Sequence, residues 1–233
     1  MGGSGANADD IVRQITDFLG KNKLGAGAAL GGLGALILGT RTGRSIAVNA
    51  AKLGALAVVG GLAYKAYNDW QATKGGNSTV SQGEAADAAA NLKNITPKAE
   101  GTPFLPAPQA QRNALGIKLL QAMIAAAKAD GHISAEERQR ISQQLAAMGV
   151  GPDGRSFIAA ELAAPLDIGA IANCATGPEQ AAEIYAASLL AIDRAGAAER
   201  GYLAMLAARL GLEPGLVEHL HANADALIAL QPA

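Results

Sequence analysis

Aromatic side chains are scarce in this chain. Phe, Tyr and Trp make up 3% of the 233 residues although half of them are apolar, so the hydrophobic content comes mainly from Ala, Leu and other aliphatics. Such a composition points to helices, and no stretch shows the alternation of a half-buried strand. Cysteine occurs once, at Cys174, which excludes an intrachain disulfide framework and suits a small buried hydrophobe. The signatures of chemistry are missing as well. No GxxxxGK[ST] phosphate loop is present. His219 and His221 are two apart and do not share a helix face, so they do not make a zinc pair. His132 lies between Asp130 and Ser134 without any frame that would stabilise an oxyanion. The protein is therefore expected not to be an enzyme.

Excess positive charge is also lacking. The formal net charge is −1, distributed as +4 over residues 1–74, −1 over 75–110 and −4 over 111–233. A basic first part followed by an acidic distal part suits a lipid-facing anchor with a soluble module behind it, and argues against a nucleic-acid partner.

What the chain does have is a pair of apolar runs. Leu24–Thr40 carries no charge and includes five Leu, one Ile and six Gly; the basic turn Arg41-Thr42-Gly43-Arg44 separates it from a second run, Ser45–Tyr64. As a helix the first run rises about 25 Å against a hydrocarbon layer of roughly 30 Å, so it can cross with modest thinning. The second holds seven large aliphatics, but Lys52 near its middle costs about 2.5–3.5 kcal/mol unless it snorkels. Each run alone is marginal. Gly27, Gly31, Ala35 and Gly39 recur every four residues, as do Ala47, Ala51 and Ala55, giving each helix a smooth face for close pairing. Residues 24–70 are thus expected to form a membrane-associated helical hairpin, with the bilayer as partner and a homo-oligomer as a further use of the same faces. Tyr64, Tyr67 and Trp70, beside Lys65 and Lys74, have the composition of a helix leaving the hydrocarbon for the headgroups. A Gly/Ala-rich hairpin in water or on a surface is the competing reading.

Around this hairpin the chain divides readily. Residues 1–23 begin with a Gly/Ser/Asn-rich tail and continue as a short amphipathic helix (Ile11, Val12, Ile15, Phe18, Leu19), with no cleavable signal peptide expected. Residues 71–110 read as a flexible linker, polar and then punctuated by Pro97, Pro103, Pro106 and Pro108. Residues 111–233 read as an all-α bundle of seven helices. The first two are marked by Leu115–Ala127 and by Ile141, Leu145 and Met148. Phe157–Leu162 marks the third, and the fourth follows Asp167. The fifth starts at Pro178 with Thr176 as cap, the sixth ends at Gly211, and the seventh opens on Pro214.

Two helix–turn–helix motifs within this last part repeat one another. Ala129-Asp130-Gly131-His132-Ile133-Ser134-Ala135-Glu136-Glu137 is echoed by Ile192-Asp193-Arg194-Ala195-Gly196-Ala197-Ala198-Glu199. Ser134 with Glu137 fits a capping box, and Gly196 with Glu199 takes the same two places. This pair of motifs resembles the TerB-like domain named for tellurite resistance. Together with LGTRTGRSIAVNAAKLGALAVVGGLAYKAYNDW (38–70), the chain is similar to the YebE-like inner-membrane proteins of bacteria. The resemblance implies a bacterial inner-membrane location and a poorly defined role in stress or tellurite response; the acidic helical domain behind the anchor is itself expected to engage an unidentified protein partner. It also implies that Asp130, Glu137, Asp193 and Glu199 hold a metal, although Ala195 stands where the second motif often carries another acid. Oxygen-only ligands would suit a divalent cation, Ca²⁺, Mg²⁺ or Mn²⁺, whereas helix capping gives each carboxylate a structural use instead. If the turns hold such a cation, saturating Ca²⁺ or Mn²⁺ raises the melting temperature, and Asp130→Asn with Asp193→Asn abolishes the rise. An unchanged melting temperature leaves capping as their use.

Overall fold

The structure is a computed structural model that describes residues 55–74, 98–131, 133, 138–139, 141–143, 152–192 and 196–229. The expected amphipathic helix, the run Leu24–Thr40, the basic turn and Ser45–Gly54 lie outside the described residues, as do 75–97 of the linker. All regular structure among the described residues is helical: α1 (Ala55–Lys74), α2 (Gln109–Ala127), α3 (Pro152–Ala163), α4 (Ile168–Asn173), α5 (Pro178–Ala191), α6 (Ala197–Leu210) and α7 (Pro214–Ala229). Residues 138–139 and 141–143, where the helix containing Ile141 is expected, are helical too.

Local chemistry accounts for most boundaries. Asp167 caps α4, its Oδ1 accepting from the Ala170 amide at 2.9 Å. α5 starts on Pro178, where a missing N–H costs nothing, but the capping position is Gly177 rather than Thr176. The Thr176 amide instead donates to Gln180 Oε1 at 3.3 Å. α6 ends at Gly211, whose φ of +65° is left-handed and favours glycine. Pro214 then opens α7.

α5 lies at the centre. Every residue from Ala181 to Ala191 is buried, with α2 and α1 packed along it and α6 and α7 completing the enclosure. Many of the contacts are made by alanines with no exposed surface, among them Ala63, Ala66, Ala122, Ala182, Ala186, Ala187 and Ala224. Small side chains let helix axes approach closely, so dispersion contacts can replace the bulk that aromatics would supply. Larger side chains fill the remaining space: Tyr185, Tyr202, Ile184, Leu189, Leu206 and Leu220 are all nearly or wholly enclosed.

The packed unit begins well before residue 111. α1, which contains the last part of the second apolar run, lies against α7 and α5 and buries Leu56, Val58, Val59, Leu62, Ala63 and Ala66. Tyr64, Tyr67 and Trp70 do not stand apart as an aromatic belt. Tyr64 meets the Phe104 ring edge-on at 5.7 Å, Tyr67 lies 5.6 Å from Phe104 and 5.4 Å from Trp70, and the indole packs beside Gly215 at the start of α7. Lys74 sits 4.1 Å over the Trp70 ring and pairs with Glu213 at 2.5 Å.

The end of the expected linker is also built into this core. Gly101, at φ +79°, turns the chain so that its amide donates to Leu105 O at 2.9 Å, which places Phe104 and Leu105 inside. A one-residue bridge between Glu100 and Leu105 is part of that turn. Among the described residues no helix is long and apolar enough to cross a membrane. The physical reason for the difference is that an apolar helix lowers its free energy by leaving water for protein as readily as for lipid. Here α5 and α7 present a matching face. Leu62 is 3% exposed in this packing. Leu62→Ala is accordingly expected to destabilise the helical unit by about 2–5 kcal/mol in denaturant unfolding of the full chain. A lipid-exposed Leu62 would leave that transition unmoved.

Candidate functional site

Apart from Asn113 on α2, whose Oδ1 accepts from Gln109 Nε2, the buried polar groups among the described residues gather on α5. Glu183, Tyr185 and Ser188 lie on this one helix, each with 2% or less of its surface exposed. Two of them are satisfied. Ser188 Oγ donates to Ala122 O on α2 at 3.3 Å and lies 3.4 Å from Tyr202 Oη on α6. Tyr185 Oη is 2.8 Å from His221 Nε2 on α7. These contacts tie α5 to three neighbours and fix how the helices are rotated. They also give His221 a partner inside the fold.

Glu183 is different. It is fully enclosed, and neither carboxyl oxygen has a hydrogen-bond partner. A neutral carboxyl tolerates such a place far better than a carboxylate does, because removing an ion from water without a partner is costly. Burial, reinforced by repulsion from Glu179 and opposed by Lys118, pushes its pKa well above the usual carboxylate range. Lys118 does not reach it directly and donates to Gln180 Oε1 at 3.0 Å. The wall opposite Glu183 is α1 at Gly60. A Cβ there would lie 3.4 Å from Glu183 Oε1 and 2.5 Å from the Phe104 carbonyl oxygen, so only glycine lets α1, α5 and the 101–105 turn meet this closely. The sequence signal for Glu183 was one acid in the otherwise apolar stretch Ala181–Ala187.

The four acidic-turn residues are placed unevenly. Glu137 and Asp193 lie outside the described residues. Asp130 is exposed in the turn after α2, followed by Gly131 at φ +84°, whose amide donates to Lys128 O at 2.9 Å. The glycine of this motif thus has a conformational reason to be there. Glu199, in the first turn of α6, folds its carboxylate back over Gly196, occupying the space that a Cβ at position 196 would need. A negative charge in this first turn is favoured by the dipole of its own helix. Among the described residues no three His, Cys, Asp or Glu side chains gather closely enough to hold a metal.

Lys128, which precedes the first motif, was not singled out from its pattern. Its ammonium donates to Glu161 O at 2.9 Å and to Ala164 O, satisfying carbonyls at the end of α3 and pinning that helix to α2. Burial lowers its pKa, against the opposing effect of Glu161. Cys174 is half-buried rather than enclosed, its thiol donating to Ala170 O at 3.3 Å.

Tyr202 gives a titration that reads the α5–α6 contact. Burial pushes its phenol up to about 12, with the hydrogen bond between it and Ser188 acting the other way. The folded state therefore holds this proton more tightly than the unfolded chain. The associated stability is complete below about pH 10 and declines as pH rises toward 12, by roughly 1.4 kcal/mol per pH unit. Urea unfolding between pH 9 and 12 should show this slope, and Tyr202→Phe should remove the corresponding part of it.

Comparison with known proteins covers most of the chain. A family model described as protein of unknown function (DUF533) matches residues 23–224, which takes in α1, the 101–105 turn and most of α7. A protein of Yersinia enterocolitica described as "Uncharacterized protein in ampR 5'region" is 35% identical over 89 residues, 38% of this chain and 64% of that protein. The chain thus spans just under two thirds of that relative's length. No solved structure matches the chain. The similarity to YebE-like proteins and the match over residues 23–224 lead to one family: the chain belongs to DUF533.

Proposed function

We propose that this protein is a non-enzymatic, membrane-attached interaction or sensor module, in which a TerB-like helical domain follows an apolar N-terminal anchor through α1. The observation that carries the reading is the docking of α1. This helix follows directly on the apolar segment and is built into the core through Leu56, Val58, Val59, Leu62, Ala63 and Ala66. Docking of α1 between α5 and α7 leaves a shorter stretch of chain between domain and anchor than a free linker over residues 71–110 would.

The same packing changes the proposed mode of attachment. Ten residues, Ser45–Gly54, separate the basic turn from α1. Even fully helical they would reach about 15 Å, half the hydrocarbon thickness. The attachment therefore rests on one crossing by Leu24–Thr40, with Arg41 and Arg44 at its end. A bacterial inner-membrane location and a role in stress or tellurite response follow from the TerB-like and YebE-like resemblance. Buried polar groups that knit helices together, with no assembled acid, base and nucleophile among the described residues, favour partner recognition over catalysis. The partner is taken to be a protein, and a divalent cation at the acidic turns is an accessory to that role.

Carbonate extraction of the full chain and of a variant lacking residues 24–40 tests the anchor. The full chain is expected in the membrane pellet and the deletion variant in the soluble fraction. Release of the intact chain would sink the proposal. Retention of the deletion variant would move the attachment elsewhere. Blue-native sizing of both forms distinguishes an anchor from a scaffold that oligomerises through the Gly/Ala faces, since only the scaffold loses its oligomer with the deletion.

A further inference from the structure

We infer that Glu183 is a proton-operated latch for α1: as a neutral carboxyl it lets α1 seat against α5 at Gly60, and as a carboxylate it drives the two apart. The geometry makes this joint the weak side of the carboxyl's enclosure. Towards α2 and α6, α5 is fastened by Ser188 with Ala122 O and Tyr202, and towards α7 by Tyr185 with His221. Towards α1 no side-chain tie reaches Glu183: its Oε1 lies close to Gly60, where α1 also runs against the Phe104 carbonyl. An ionised Glu183 needs water, and parting α1 from α5 at this glycine admits it without breaking those side-chain ties.

Few other charges can substitute for that water. Lys118 on α2 and Glu179 on α5 act on the carboxyl at longer range and oppose each other, and Lys118 is already engaged with Gln180. The buried part of α1, Leu56–Ala63, has no ionisable side chain; its next titratable residues are Tyr64, against Phe104, and Lys65, paired with Asp69 at 2.6 Å. In the segment before α2, Glu100 is exposed and lies 4.0 Å from Arg112. On α7, His221 is bonded to Tyr185, and on α6, Tyr202 faces Ser188. At its far end α1 is tied by Lys74 to Glu213, a half-exposed pair of the kind that contributes little. A neutral carboxyl at position 183 is therefore compatible with the seated helix, and a charged one has no partner to keep it there.

The sign follows from linkage. Glu183 is protonated in the docked state under conditions where it would be ionised in water, so docking is complete at low pH and weakens as pH rises above the ordinary carboxylate value of 4.5 toward the raised one. The latch concerns the docking of α1 alone and holds whether or not the chain is anchored in a membrane.

The single tryptophan, Trp70, is on α1 and reports its docking directly. The experiment follows Trp70 emission and far-ultraviolet circular dichroism of the full chain in detergent between pH 5 and 8.5. Wild type is expected to shift to the red as pH rises with its helicity retained, and to lose about 2–4 °C of melting temperature per pH unit across the titration. Glu183→Gln, which cannot ionise, is expected to keep the docked emission throughout. Gly60→Ala, whose new Cβ meets the Phe104 carbonyl, is expected to show the shifted emission already at pH 5. A wild-type emission that stays constant over the whole range overturns the latch whatever the variants do. So does a pH response in Glu183→Gln equal to that of wild type, and so does a Gly60→Ala protein that titrates as wild type does.

Discussion

Helix α5 has no solvent face over the eleven residues from Ala181 to Ala191, and the remaining architecture follows from that constraint. A helix enclosed on every side needs several neighbours, and those neighbours must come close enough to exclude water. Alanine at 182, 186 and 187, facing alanines such as Ala63, Ala66 and Ala122, makes the short approach sterically feasible. Most of the few aromatics then lie where closeness alone would leave gaps: Tyr185 on α5 with Tyr202 on α6, and the Tyr64, Tyr67, Trp70 and Phe104 group where α1 meets the turn before α2. Removing α1 would expose one side of α5, including its one unpartnered carboxyl, to water. That is why the unit cannot be divided at residue 111.

The helical character of the chain was legible because it rests on local patterns. Pro178, Gly211 and Pro214 mark boundaries through their own backbone restrictions, and those restrictions act whatever surrounds them. The destination of an apolar helix is not local in this sense. Residues 55–66 read ALAVVGGLAYKA, and apolarity with small-residue spacing describes a membrane helix and a helix crossing α5 and α7 equally well. Tyr64, Tyr67 and Trp70 raise the same ambiguity, since a ring with a polar edge suits a headgroup layer or the rim of a core. The choice depends on whether a complementary surface exists elsewhere in the chain. It does, more than 100 residues away, in α5 and α7.

The candidate site was legible only in part for a related reason. Acids in turns catch the eye because they recur at regular spacing, and Asp130 and Glu199 do lie at helix ends, with Gly131 and Gly196 explained by backbone conformation and by the space Glu199 takes. Glu183 has no such context. A single acid in a helix is ordinary when its side chain faces water, and it becomes chemically distinctive only because Ala182, Ile184 and Tyr185 are buried beside it while Gly60 closes the remaining side. Periodicity could place Glu183 on a helix, but not say that the helix would be surrounded.

A fully buried carboxyl without a partner is a poor way to build a stable core, since an apolar residue of similar size would pack there without a polar group to desolvate. Ser188 and Tyr185 contribute specificity through hydrogen bonds that only one rotation of the helices satisfies, so their burial is offset within the fold. Glu183 receives no such compensation, and it sits at the junction between α5 and the helix nearest the apolar N-terminal segment. The destabilising group and the connection that would have to move are thus at the same place. Among the described residues the other buried polar side chains have hydrogen-bond partners, so that coincidence is more simply explained by a joint that can open than by a core that is merely imperfect.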